Sequence, residues 1–221
     1  MRAALAAFLV SIASGWLAGC AGMYPVAVTT RLPAGLNVTP YSRLLVAGFV
    51  GGGIDDVDTN ADTVRLLRSQ LRAARSLTII SADAMPITRA TLADPAFWRR
   101  VGEEYQNPLV LTGIVVLTSE RHTDLMYRER EFFDDEGRRR IEMNRTAVEI
   151  ETRTLTARLL YIDGQTGAII HARVFREDTS HAASQTVPAL SSYFELMARL
   201  VPEVLGTVSD HTVVGSRTLL R

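Results

Sequence analysis

The sequence predicts one α/β domain, built in two or three layers, with a mixed sheet of about five strands, three helices and a protruding charged hairpin. Three observations predict it. Short apolar runs rich in β-branched residues recur, each closed by turn residues. Two stretches between the early runs carry apolar residues at helical spacing. Two late runs stand back to back across Asp163-Gly164-Gln165-Thr166-Gly167. The resulting order, β-α-β-α-β-β-β-α, puts helices between the early strands and a hairpin late, which requires a partly antiparallel sheet.

Each element has its own local reason. Leu44–Phe49 is apolar and is stopped by Gly51-Gly52-Gly53, as in a buried strand. Over 60–75, Val64, Leu67, Leu71 and Ala74 recur at helical spacing. Thr59 or Asn60 suits the N-cap there, and Asp62 lies in the first turn, where the helix dipole favours an anion. Leu77-Thr78-Ile79-Ile80 is a second short strand. Asp94-Pro95 pairs a capping aspartate with proline at the first helical position, opening a helix through Phe97, Trp98, Val101 and Tyr105. Leu109–Thr118 is nearly all apolar and β-branched, which predicts a central strand covered on both faces. A charged stretch, Glu120–Asn144, has its sharpest turn signal at Asp135-Glu136-Gly137. Thr146–Ile162 is a long strand that turns into Ala168–Glu177. In the last helix Leu190, Phe194, Met197, Val201, Leu205 and Val208 form one stripe. Pro202 cannot donate to the helix ladder, so it should kink that helix or end it early.

Charge narrows the classes of partner. The chain of 221 residues holds 24 basic and 24 acidic residues and is formally neutral. Nucleic acid is therefore excluded as the main ligand, because phosphate-backbone binding needs a net basic face. Every basic residue is arginine, a compositional bias to which no function attaches. One cysteine, Cys20, leaves no internal disulfide.

The amino terminus carries an address. Met1-Arg2 is positive, Ala3–Ala13 is almost unbroken apolar chain, and Leu17-Ala18-Gly19-Cys20 closes with small residues. This is the pattern of an export signal, and the run is too short to span a hydrocarbon core of about 30 Å. The Leu-Ala-Gly-Cys ending resembles the lipobox of bacterial lipoproteins. That resemblance implies a signal peptide over 1–19, removed before Cys20, with Cys20 then lipidated by diacylglyceryl and palmitate-like chains. Residues 20–42, rich in proline and glycine, would be the lipidated terminus and an extended tether, and 43–221 the domain, with 120–144 its charged arm. In that resemblance an aspartate at position 21 favours retention at the inner membrane, so Ala21 is compatible with delivery to the periplasmic face of the outer membrane, the inner membrane being the alternative.

A second resemblance covers roughly residues 43–210. The strand Leu44–Phe49, the helix over 60–75, the strand Leu77–Ser81 and Asn107-Pro108-Leu109-Val110-Leu111-Thr112-Gly113 follow a known scheme. So do the hairpin Ala157–Asp163 with Thr166–Ile170 and the closing helix. Together these resemble the periplasmic domain of CsgG-like curli-secretion lipoproteins, TolB amino-terminal domains and LpoB-like activators. The resemblance implies an envelope module for assembly, secretion or regulation, often oligomeric, that binds envelope proteins or itself without catalysis. One departure matters. Transmembrane barrel strands need apolar side chains at alternate positions, whereas Tyr127-Arg128-Glu129-Arg130-Glu131-Phe132-Phe133 and Arg138-Arg139-Arg140 put charges on both faces. A polar hairpin outside the bilayer fits this segment better.

Other motifs were weighed for chemistry. Gly48-Phe49-Val50-Gly51-Gly52-Gly53 lacks the Gly-Lys-Ser/Thr ending of a phosphate loop and reads as a strand exit. Asp56-x-Asp58-x-Asn60-x-Asp62 resembles the start of a calcium loop, but Ala61 and Leu67 stand where glycine and glutamate are needed. His122, His171, His181 and His211 have no metal-ligand spacing, and His122-x-Asp124 is a pairing common by chance. No nucleophile and base form a recognisable set. The expectation is therefore a protein that is not an enzyme and needs no metal or cofactor. The alternative is an envelope hydrolase or small-ligand-binding protein whose site sequence does not reveal. Candidate contact residues are Arg65, Arg68, Arg72 and Arg75, which flank the apolar stripe of their helix, and Arg138, Arg139 and Arg140. The first four form either a solvated rim or a face for an anionic partner. Arg138-Arg139-Arg140 beside Asp134-Asp135-Glu136 should pair across its own turn, with a role in setting register between subunits as the alternative.

Overall fold

The computed structural model describes residues 23–220, apart from 53, 55–56 and 74–76. Cys20, its lipidation and Arg75 lie outside the described residues. Two compact units are present, one of 33–210 and one formed by the two chain ends.

Within 33–210 five strands hydrogen-bond in the order β3-β2-β4-β5-β6. They are β2 (Arg43–Gly52), β3 (Thr78–Ile79), β4 (Leu109–Phe133), β5 (Arg139–Asp163) and β6 (Ile169–Ala182). β2 runs parallel to β3 and β4, while β4, β5 and β6 are antiparallel. Four helices accompany them: α1 (Thr59–Ala73), α2 (Arg89–Leu92), α3 (Pro95–Glu104) and α4 (Ala189–Val208). The mixed α/β sheet is the one the sequence predicts, and its side chains sort into two cores. Leu44, Val46, Leu111, Val115, Leu159 and Tyr161 pack with α1 and α4. Leu45, Ala47, Val110, Leu160 and Ile162 pack with Leu92, Trp98 and Val101 from α2 and α3. Helices thus cover both faces, giving three layers. That is why the inner parts of β2, β4 and β5 are apolar at consecutive positions.

The helix caps are local and specific. Asp58 caps α1, its carboxylate accepting from the amides of Asn60 and Ala61 at 3.0 Å each. Neither Thr59 nor Asn60 takes that role. Asn60 instead accepts from Phe49 N at 2.8 Å and donates to Met85 O at 3.2 Å, tying β2, α1 and the 80–87 loop together. Asp94 caps α3 as predicted, accepting from Ala96 N at 2.9 Å. The short α2, closed by a reciprocal Thr88–Thr91 capping box, has no apolar period long enough to announce it.

Two positions explain how the 80–87 loop sits. The β2–β4 register shifts between Val46 and Phe49, and the Thr112 hydroxyl satisfies the displaced Gly48 carbonyl at 2.7 Å. Met85 O then crowds the place a Cβ at residue 48 would take, so glycine is required there.

Helix α4 departs from the expected stripe. Its buried face runs through Tyr193, Leu196, Met197, Leu200, Val201, Val204 and Val208, leaving Phe194 39% exposed. The helix is apolar over more than one stripe, and the sheet selects the stripe that carries Tyr193, whose hydroxyl lies 2.7 Å from that of Thr63 on α1. Pro202 does not end the helix, which continues to Val208. Burial of Val204 and Val208 holds the turn beyond the missing amide donor.

The expected tether also differs. Leu36, Val38 and Tyr41 pack against the first core, and the amides of Gly35 and Leu36 donate to Gly206 O and Thr207 O at 3.0 and 2.9 Å. Their apolar side chains attach this segment to the compact unit, which begins at Pro33 and ends at Asp210. The other unit pairs β1 (Met23–Leu32) antiparallel with β7 (His211–Leu220), from Met23 opposite Leu220 to Leu32 opposite His211. Residues 23–32 are extended, as read, but their backbone has a partner.

Candidate functional site

Two features of the 33–210 unit bring candidate residues together: the outer β4–β5 hairpin and a groove beside α1. β4 pairs with β2 only as far as Val116, and β5 pairs with β6 only from Ile150 onward. The β4–β5 register nevertheless continues without interruption to Phe133 opposite Arg139. Beyond both limits the strands form a two-stranded arm, Thr123–Phe133 with Arg139–Glu149, roughly 37 Å long at about 3.4 Å per residue. The predicted charged hairpin is this arm, continuous with the central strands rather than a separate element.

A polar network anchors the arm. Arg153, 7% exposed, donates to Val187 O at 2.8 Å and Ser192 Oγ at 2.9 Å, and it meets Glu151 at 2.9 Å. Ser119 donates to Glu151 at 2.8 Å, and Arg121 lies 3.6 Å away. The Ser119 hydroxyl, then Arg153 and Arg121, hold the Glu151 carboxyl below the usual glutamate range against partial burial. This network joins β5, β4 and the start of α4 where the apolar core ends. Sequence reasoning missed it, because Glu151-Thr152-Arg153 alternates like any half-exposed strand.

Along the arm, odd-numbered residues of both strands continue the face that α1 and α4 cover further in. Five exposed apolar side chains share that face: Leu125, Tyr127, Phe133, Ile141 and Met143. Met126 and Phe132 occupy the other. At the tip, Asp134 accepts from the backbone amides of Arg138 and Glu136 and from the guanidiniums of Arg140 and Arg138. These contacts lower its pKa, the Arg138 amide foremost. Arg138 also pairs with Glu136 at 2.6 Å, and Arg139 pairs with Glu131. All three predicted tip arginines are thus engaged within their own hairpin.

The helix arginines behave differently. Arg65, Arg68 and Arg72 line a groove of about 400 Å³ with Ala61, Asp83 and Ala84. Past Arg68 and Asp83 it continues into a second hollow of about 560 Å³ beside Ser81, Met85 and Tyr105. Arg65 meets Asp62 at 3.5 Å while remaining 78% exposed, and Arg72 donates to the Ser81 hydroxyl at 2.5 Å. The Arg68 Nε is buried and has no acceptor among the described residues. Such an orphaned donor costs about 1–3 kcal/mol or more when its group is charged. Burial, followed by Glu104 and Asp83, pushes the Tyr105 phenol above its usual range.

Other candidates hold structural contacts, whereas His181 Nε2 and His211 Nδ1 are buried without a hydrogen-bond partner among the described residues. Asp58 caps α1, Asn60 brackets two segments and Asp62 faces Arg65, so these three members of the calcium-like string do not converge on one point, and Asp56 lies outside the described residues. Asp124 accepts from the amide of Leu125 at 2.8 Å rather than from His122. His171 stacks at a tilt 5.6 Å from buried Tyr161, whose phenol is pushed up to about 12 by burial. No helix among the described residues is long and apolar enough to cross a membrane.

No family model matches the sequence, and no curated protein is significantly similar to it. Solved structures do resemble the fold in part. The hypothetical protein CT253 from Chlamydia trachomatis is similar over 76% of this chain and 98% of its own, at 9% identity and a TM-score of 0.42. A PelC dodecamer from Paraburkholderia phytofirmans aligns over 83% and 99%, at 14% identity and 0.41. Lipoprotein GNA1162 from Neisseria meningitidis aligns over 76% and 99%, at 12% identity and 0.38.

Proposed function

We propose that this chain is a lipid-anchored, non-catalytic module of the bacterial cell envelope. It binds other envelope proteins, or further copies of itself, through the outer β4–β5 arm. One observation carries the reading: a long ribbon with both outer edges unpaired and five apolar side chains exposed on a single face. A lone two-stranded ribbon is marginally stable in water. Unpaired strand edges are templates for another strand. A partner laid along this arm would bury the apolar face and occupy an edge together.

The Leu17-Ala18-Gly19-Cys20 ending supports the anchor, with the outer membrane as the destination. Confinement to a membrane raises the effective concentration of partners held there. Light scattering on the chain from residue 21 onward tests self-association, and in-cell crosslinking from positions 125, 127 and 141 tests contact with other proteins. A strict monomer at high concentration, together with no crosslinked partner, would overturn the proposal. Replacing Cys20 with alanine should abolish fatty-acid labelling and leave unprocessed precursor. The alternative of a small-ligand-binding protein finds its specific support in the groove beside α1.

A further inference from the structure

We infer that the α1 groove is an oxyanion site. Arg68 and Arg72 hold a phosphate ester, Arg65 closes its outer rim, and Asp83 accepts from a hydroxyl on the same ligand. This inference is independent of the envelope assignment and of the arm.

The first argument is a difference among arginines. Arg138, Arg139, Arg140, Arg153, Arg173 and Arg199 each hold a carboxylate in a close ion pair. Arg68 and Arg72 have no such pair among the described residues, although Asp83 lines the same hollows. Helical spacing brings 65, 68 and 72 to one side of α1. The three guanidiniums on this wall meet two carboxylates, Asp62 beside Arg65 and Asp83 in the groove lining, which leaves a net positive concavity in a formally neutral chain.

The second argument is the orphaned donor. Buried donors without acceptors are rare in folded proteins, and each calls for an occupant or a reason. Arg68 Nε is one. Its wall is fixed, because Asn60 ties the helix start to Met85 and Met85 N donates to Ala47 O at 2.7 Å. The groove is therefore preformed, and a shift of the Arg68 side chain toward a bound ligand oxygen would satisfy the donor.

The chemistry of the ligand follows from the donors. A guanidinium fork matches phosphate and carboxylate alike. A phosphate ester offers more terminal oxygens than a carboxylate, enough for Arg68 and Arg72 together. Asp83 disfavours a bare dianion but accepts readily from a hydroxyl, which selects a polyol phosphate. Hollows of about 400 and 560 Å³ suit a ligand of that size. A soluble glycerol phosphate and the headgroup of a phosphatidylglycerol both present this chemistry.

Calorimetric titration of the full chain in neutral detergent, with glycerol 1-phosphate and separately with inorganic phosphate, tests the site. Saturable binding of glycerol phosphate is expected. Arg68→Gln and Arg72→Gln should each weaken it at least tenfold, and Arg68→Lys, which keeps charge but loses the fork, should weaken it less. Asp83→Asn should reduce the preference for glycerol phosphate over inorganic phosphate. Arg128→Gln removes the same charge from the arm and should change nothing, while thermal melting shows that each variant is folded. Flotation with phosphatidylglycerol vesicles separates the sources. Loss of flotation in Arg68→Gln makes the ligand a lipid headgroup, and titration without groove-dependent flotation makes it a free ester. No saturable binding of either, or equal weakening by Arg128→Gln, would overturn the inference.

Discussion

One pair of strands plays two roles in this molecule. The inner part of β4–β5 lies between two helical layers, and the outer part of the same ribbon has no layer over either face among the described residues. Leu111, Leu159 and Tyr161 are almost wholly buried, whereas Leu125, Tyr127 and Met143 are more than half exposed. The β4–β5 ladder itself is unbroken across both regions, although only the inner part also bonds to β2 and β6 at its edges, so that ladder does not distinguish them. Coverage does. The inner strands bury apolar area worth roughly 25 cal/mol per Å², while the outer strands have only cross-strand pairs worth about 0.2–1 kcal/mol each. Stability is therefore concentrated inward, and the exposed apolar chains of the arm are left free for contacts outside it.

The contrast is sharpest in substitution. Leu111→Ala removes a fully buried side chain from the first core and should cost about 2–5 kcal/mol in denaturant unfolding. Arg153→Ala strikes the boundary between the regions. It strands Glu151 near the core and deprives Val187 O and Ser192 of their donor, at a cost of about 3 kcal/mol. That cost stays at the low end because Ser119 and Arg121 still face Glu151. If Arg153→Ala were silent, the root network would not be what separates core from arm.

Acid should act at the same boundary. Glu151 has a folded pKa below its unfolded value. Its contribution to stability is complete above the ordinary glutamate value of about 4.3 and disappears as pH falls through the depressed folded value. Glu151→Gln should therefore lower stability at neutral pH and flatten the acid limb of the stability curve below about pH 4.3. An unchanged limb would show that other carboxylates govern acid unfolding.

What was legible in the sequence follows the reach of each signal. The α1 stripe through Val64, Leu67 and Leu71, the Asp94-Pro95 cap and the Asp163–Gly167 turn depend on neighbours a few residues away, and all three hold, with Ala74 outside the described residues. Capping of α1 by Asp58 was obscured because Asn60 suits the same role but is taken up by Phe49 and Met85. The pairing of Met23–Leu32 with His211–Leu220 joins opposite ends of the chain, and no local pattern encodes it. Among candidate contacts, spacing placed Arg65, Arg68 and Arg72 on one wall. The adjacent Asp134-Asp135-Glu136 marks Arg138–Arg140 as pairing across their own turn, and Arg138 and Arg140 do so through Asp134 and Glu136, whereas no local signal shows which carboxylates the fold keeps from Arg68 and Arg72.

The smallest effect on stability should come from the arm, and it is the one that tests the division most directly. Leu125→Ala and Tyr127→Ala change side chains more than half exposed. Each should alter unfolding of the monomer by about 0.5 kcal/mol or less. Tyr127 also supports the Arg145 guanidinium at 5.5 Å from its ring, an exposed contact that adds little. If the arm is a contact surface, the same substitutions should weaken self-association or crosslinking far more than they alter folding. Measuring both on the same variants separates the possibilities. A loss of association with stability unchanged places the function on the arm. A cost of 2 kcal/mol or more in the monomer would mean the arm is packed within its own chain, and the distinction between the two regions of the ribbon would fail.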